Sequence, residues 1–324
     1  VTWFNSCDYK PTAIGDDRQI FVFADSLLWL DIKEDIEQTF HKYVYTPRAE
    51  KSFIISWRSL NKLNDLKGRR NIFFIGTTKS GSEVNDYLLS FVPQEFINSV
   101  NNEESLYFFK DDLFLNQQIS MFIIGKNKES LLSNFKQKSS EIFYNFNRKY
   151  MARLKDRIYQ KGEQFDLEEY LVDNFGYKIR IQHDYFIANQ EPKEKFVWLR
   201  RVDPDRWISI WKKDWQEVNL SPDSLFSIRN EMTKKYYDGD YIVEDETSIT
   251  RVPFISADNI KITGTWRNDS LLVGGPFRTY VVPHPEEDAY YFVDIAVMDP
   301  TQDKKPFLDQ LEVIAGTFSF ENKK

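Results

Sequence analysis

Apolar and polar positions along this chain follow two periods, about two residues in some stretches and about 3.6 in others. Residues 19–23, 52–57, 71–75, 106–109 and 119–124 are compact apolar runs of strand length. Between them, Leu30, Ile32, Ile36, Phe40 and Tyr43 form a helical stripe that begins after Asp25 and Ser26, and helices are also predicted over 84–89 and 94–100. Residues 128–162 read as one long helix, with Leu131, Leu132, Phe135, Ile142, Phe143, Phe146, Tyr150, Leu154 and Ile158 near its period. The first half is thus an α/β set whose last helix covers a sheet.

Beyond residues 161–166, where the domain join is expected, strands predominate. A short helix over 165–175 stops at Gly176, the residue that accepts a left-handed cap without strain. Strands are predicted over 177–181, 196–201 and 206–212, then a helix opened by Ser221, Pro222 and Asp223, and a strand over 245–251. Within 206–212, alternation places Trp207, Ser209 and Trp211 on one side and Ile208 and Ile210 on the other. Residues 260–266 alternate again, and Asn268, Asp269 and Ser270 are turn chemistry. Gly274, Gly275 and Pro276 predict a bulge or the start of a strand. Strands over 278–282 and 291–297 follow, and Leu308, Leu311, Val313 or Ile314, and Ala315 mark a closing helix. The expected fold is α+β, with two α/β sandwich-type domains, the second an antiparallel sheet flanked by helices. In element order this second domain resembles the PsbP and Mog1-type sandwich, and fold does not fix function. The expected division is a signal-peptide remnant and tether over 1–17, an N-terminal α/β domain over 18–162 that ends in the long helix, and a C-terminal antiparallel α+β domain over 163–324.

Four runs carry a resemblance: Phe196-Val197-Trp198-Leu199-Arg200-Arg201, Gly264-Thr265-Trp266-Arg267, Gly274-Gly275-Pro276-Phe277 and Phe307-Leu308-Asp309-Gln310-Leu311-Glu312. They resemble an uncharacterised family of Bacteroidota envelope lipoproteins, known as domain-of-unknown-function family 4837. The resemblance extends over most of the chain and is sharpest in the second half. It implies a lipid-anchored protein of the bacterial cell envelope, on the outer membrane, facing the periplasm or the cell surface. It supplies no activity and no catalytic residue.

Composition narrows the classes. Hydrophobic residues make up 41% and aromatic residues 16% of the chain, ample for a packed core. A net charge of −7 and a pI near 5.3 argue against nucleic-acid binding by bulk electrostatics. No apolar run approaches the roughly 20 residues of a membrane helix. The single cysteine, Cys7, rules out an internal disulfide framework and a cysteine-based zinc cluster. Its setting, Trp3-Phe4-Asn5-Ser6-Cys7, looks like the end of a bacterial lipobox, with Phe4 departing from the usual aliphatic residue. An acyl (palmitate-type) anchor on Cys7 would tether the chain to a bilayer without spanning it, with residues 8–17 as a leash. The alternative is an ordinary cysteine near a frayed terminus.

Candidate binding residues are Trp198, Arg200, Trp207, Trp211, Trp266 and Arg267, joined by Gly274, Gly275 and Phe277. Exposed aromatics beside arginines would make a stacking platform for cell-wall glycan or an envelope protein; the other reading puts half of the tryptophans in the core. The turn over 76–83 lacks the lysine that a phosphate-binding loop needs after its second glycine, and reads as a polar strand-to-helix turn. His41, His183 and His284 show no metal spacing, and neither a nucleophile elbow nor an HExxH helix is present. No catalytic residue, metal or cofactor is assigned. The leading expectation is a non-catalytic binding or accessory subunit of an envelope protein complex, its contact surface on the second sheet and the 274–277 loop. The alternatives are a hydrolase of envelope polysaccharide and a small-ligand carrier.

Overall fold

A computed structural model of the chain describes residues 10–79, 81–237, 239–254 and 259–321. The described residues divide into two compact units, the first within Val1–Tyr43 and Lys51–Arg153, the second within Val44–Glu50 and Leu154–Lys324. Cys7 lies outside the described residues.

In chain order come β1 (Gln19–Ala24), α1 (Ser26–Phe40), a hairpin of β2 (Tyr43–Tyr45) and β3 (Ala49–Lys51), and β4 (Ile54–Arg58). Then follow α2 (Leu63–Leu66), β5 (Asn71–Thr77), α3 (Glu83–Leu89), α4 (Gln94–Asn101), β6 (Tyr107–Asp111), β7 (Ile119–Gly125) and the long α5 (Lys128–Ile158). The sheet of unit 1 has the order β4-β1-β5-β7-β6 and is parallel except at β6. Its central strands β5 and β7 are buried almost throughout, which is why they read as unbroken apolar runs. On one face Phe23, Phe74 and Phe122 stack, and Val84, Leu88 and Val100 from α3 and α4 close over them. On the other, Phe40, Phe53, Phe73, Phe146 and Tyr150 meet edge to face at 4.9–5.6 Å between ring centres.

Two expectations for this unit change. Leu30 is 73% exposed, because the buried stripe of α1 runs through Leu28, Trp29, Ile32, Ile36 and Phe40, and a residue two away from Ile32 lies across the helix. The segment expected to act as a leash, residues 8–17, is also packed against the unit over most of its described part. Ala13 is fully buried and its N–H donates to Asn116 O at 2.9 Å, while Asn116 N–H donates to Pro11 O at 2.9 Å. Residues from Pro11 onward are therefore part of unit 1.

Unit 2 continues with α6 (Phe165–Phe175), β8 (Tyr177–Lys178), β9 (Phe186–Glu191), β10 (Phe196–Arg201), β11 (Asp205–Asp214), α7 (Pro222–Tyr236), β12 (Tyr241–Ile242) and β13 (Ser248–Val252). It closes with β14 (Asn259–Asn268), β15 (Val273–His284), β16 (Ala289–Met298), α8 (Lys305–Ala315) and β17 (Ser319–Phe320). Its large sheet is antiparallel, in the order β12-β14-β15-β16-β11-β10-β9, with β13 also on β14. Helix α7 covers one face and α8 the other, the α+β sandwich expected for this half. Gly176 ends α6 at φ 82°, a left-handed cap. The strand expected over 177–181 pairs over two residues only, β8 against β17. Of the two forms expected for Gly274, Gly275 and Pro276, the start of a strand holds: they open β15 without a bulge, in register with β14. A Cβ on Gly275 would stand 1.9 Å from Val297 O, so only glycine fits there.

Candidate functional site

Register decides what each candidate residue can touch. On β10, β11, β14, β15 and β16, the positions Trp198, Trp207, Trp211, Trp266, Gly275, Phe277 and Phe292 share the face that α7 covers. Trp207 is 5% exposed, Trp211 3%, Trp266 1% and Phe277 0%, so the stacking platform proposed from these residues is core. Alternation along a strand fixes the side but not what lies over it, and here a helix does. Gly275 is buried with them, and Gly274 and Trp198 are half-buried. The two arginines are engaged as well. Arg200 forks onto Asp205 at 2.8 and 2.6 Å, and exposed Arg267 pairs with Glu246 at 3.1 Å. The contact surface placed on the sheet and the 274–277 loop is therefore closed.

What remains open is a groove at the margin of this core. A cavity of about 620 Å³ lies between α7 and the β10–β11 strands, lined by Phe196, Trp211, Ile228, Met232 and Tyr236 on its apolar side. Its polar side carries Lys193, Lys195, Lys212, Lys213 and Lys235 with Glu194, Asp214, Glu217 and Glu231. Lys235 and the Tyr236 hydroxyl both bond Glu194, and Lys212 pairs with Asp214 at 3.5 Å and Glu287 at 3.3 Å. Glu217 and Asp214 close a reciprocal capping box. Lys193 and Lys213 make no ion pair among the described residues. Sequence reasoning missed this groove, since its walls come from two strands, a turn and a helix.

A second cavity, about 470 Å³, lies along α6 and is lined by Phe165, Glu168, Val172, Ile179 and Arg180 among others. Arg180 is held by Glu163 at 2.7 Å through both Nε and Nη2, and its guanidinium lies 3.8 Å from the Tyr159 ring. That bond holds the Glu163 carboxyl below its ordinary value. Glu168 is pushed up instead, by burial first and by the Glu163 charge, against a hydrogen bond from Ile181 N–H at 2.6 Å.

The polar turn of unit 1 is stitched by Asn85, whose side chain accepts from Thr77 N–H at 3.2 Å and donates to Lys79 O at 2.9 Å; Ser82 caps α3. His183 stands 3.9 Å from Asp184, and His284 packs 4.0 Å from the Phe320 ring. Among the described residues, no group of three or more His, Cys, Asp or Glu side chains could hold a metal ion, and no helix is long and apolar enough to cross a membrane.

Two family models match the chain. One, described as "Domain of unknown function (DUF4837)", matches residues 164–317. The other, "Domain of unknown function (DUF8532)", matches residues 13–159. No curated protein matches the chain. Similar solved structures include LpqN, titled as involved in cell envelope biogenesis of Mycobacterium tuberculosis, at 12% identity over 44% of this chain and 82% of that one, TM-score 0.28. The Saccharomyces cerevisiae Ran-binding protein Mog1p matches at 9% identity over 45% and 91%, TM-score 0.30. Cyanobacterial PsbP from Synechocystis sp. PCC 6803 matches at 10% identity over 45% and 86%, TM-score 0.28. Likeness at this level says nothing of shared function.

Proposed function

We propose that this chain is a non-catalytic binding subunit of a bacterial cell envelope, held at a membrane by an acyl chain on Cys7 and gripping an envelope protein through the groove between α7 and the β10–β11 strands. The groove carries the proposal. It offers the half-buried ring of Tyr236, stacked on buried Phe196, beside two ammonium groups, Lys193 and Lys213, that make no ion pair among the described residues. An aromatic anchor beside unpaired cations suits an acidic protein segment. Cys7 in its lipobox-like setting and the likeness to envelope lipoproteins support the location.

The test is affinity isolation of the full chain from its native membranes. A stable partner is expected, and it should be lost from Lys193→Glu/Lys213→Glu; failure to recover any partner contradicts the reading. Metabolic palmitate labelling should mark wild type and leave Cys7→Ala unlabelled, and equal labelling of both removes the anchor.

A second reading has its own observation. Glu168 lines the second cavity and Glu163 is bound to Arg180 of that lining; the two carboxyls are shifted in opposite directions, as an acid and a base of a polysaccharide hydrolase would be. Turnover of a cell-wall glycan that Glu168→Gln abolishes would favour it over the binding subunit.

A further inference from the structure

Beneath α7 the sheet register sets a polar row inside an aromatic core. Trp198 lies opposite Ser209, Ser209 opposite Asp294, and Asp294 opposite Thr279, across β10, β11, β16 and β15. Asp294 is well served: Arg229 donates to it from Nε at 2.8 Å and Nη2 at 3.2 Å, and the Thr279 hydroxyl donates at 2.5 Å. Its neighbours are not. Ser209 Oγ, Arg229 Nη1, the Tyr237 hydroxyl and the indole N–H groups of Trp198, Trp207 and Trp266 are all buried atoms with no protein hydrogen-bond partner.

These groups form one neighbourhood. The Trp207 ring centre is 5.4 Å from that of Trp266 and 5.9 Å from that of Tyr237, and Trp198 stands 4.6 Å from Tyr237. Arg229 lies 3.8 Å from the Phe277 ring, and the charges of Asp294 and Arg229 both act on Tyr237. Folded proteins leave only a few buried polar groups unbonded per hundred residues, because each has given up its bonds to water for nothing. Six in one cluster call for an acceptor. Indole and guanidinium nitrogens only donate, so whatever meets them must accept. The Arg229 charge is already matched by Asp294, so it must also be neutral.

We propose that the α7 face of unit 2 encloses a binding site for a neutral hydrogen-bond acceptor, either ordered water or a small solute carrying carbonyl or hydroxyl oxygens. Water is the default occupant of such polar interiors. The site is independent of the groove and stands whether or not that groove takes a partner.

Ser209→Ala decides the matter by its sign in the full chain. With an occupant, the change removes one of its partners and lowers the denaturant midpoint. Without one, it removes an uncompensated hydroxyl from an apolar core and raises the midpoint. A high-resolution crystal structure gives a second readout. Water at these donors, or an organic molecule that native mass spectrometry also detects on protein from its natural source, supports the site and distinguishes the two occupants. A dry core, or a raised midpoint for Ser209→Ala, overturns it.

Discussion

Arg229 and Asp294 are 1% and 0% exposed and form a two-point ion pair on the sheet's α7 face. Removing one member of such a pair strands the other in low dielectric, a cost of about 3–5 kcal/mol. Asp294→Asn should therefore lower unfolding stability by about that much, whereas Arg200→Ala, at a half-exposed pair, should cost about 1 kcal/mol or less, both read by denaturant titration. On the opposite face, Glu312 of α8 meets Lys261 at 2.7 Å, the Tyr280 hydroxyl at 2.6 Å and Arg278. Burial would raise its carboxyl, but the Arg278 and Lys261 charges and the hydrogen bonds outweigh it and hold the group well below its ordinary value of 4.5. A depressed carboxyl contributes stability above its unfolded pKa and loses it as pH falls toward the folded one. Stability should thus decline as pH drops below about 4.3, and Glu312→Gln should flatten that decline. An unchanged slope in the variant would remove Glu312 from the account. Alternation in the sequence put Trp207 and Trp211 on one side of their strand. It did not show that α7 lies over that side, because alternation reads the same under a helix as under water.

Elements differ in how much of themselves they write into the sequence. β5, β7 and α5 were legible because buried parallel strands are unbroken apolar runs and a covering helix keeps its stripe. β9 was not, since an edge strand with little buried side chain shows no alternation. Nor was the role of the β2–β3 hairpin. Glu50 from this early segment belongs to unit 2 and accepts from Lys304 N–H at 2.9 Å and Lys305 N–H at 2.8 Å, closing the start of α8. Glu50→Ala should cost about 1–2 kcal/mol, like loss of a side-chain helix cap, and hydrogen exchange should quicken in the first turn of α8 before elsewhere in unit 2. Gly275→Ala tests strand packing: its methyl would collide with Val297 O, so β15 and β16 must part, at about 1–3 kcal/mol. If either variant unfolds like wild type, the corresponding contact is not what fixes the element.

For the molecule as a whole, a chain of net charge −7 that keeps Lys193 and Lys213 outside any ion pair among the described residues should hold an acidic partner at this groove by a salt-dependent contact. Composition disclosed the acidity, but the groove exists only once α7 and the β10–β11 turn region are brought together, so no linear motif announces it. The most direct measurement places a photo-crosslinking side chain at Lys213, and separately at exposed Tyr144 of unit 1, in cells that make the full chain. A discrete envelope-protein adduct from position 213, weakened by added salt and missing from position 144, is the predicted result. The same adducts from both positions, or none from position 213, would contradict a binding subunit that works through this groove.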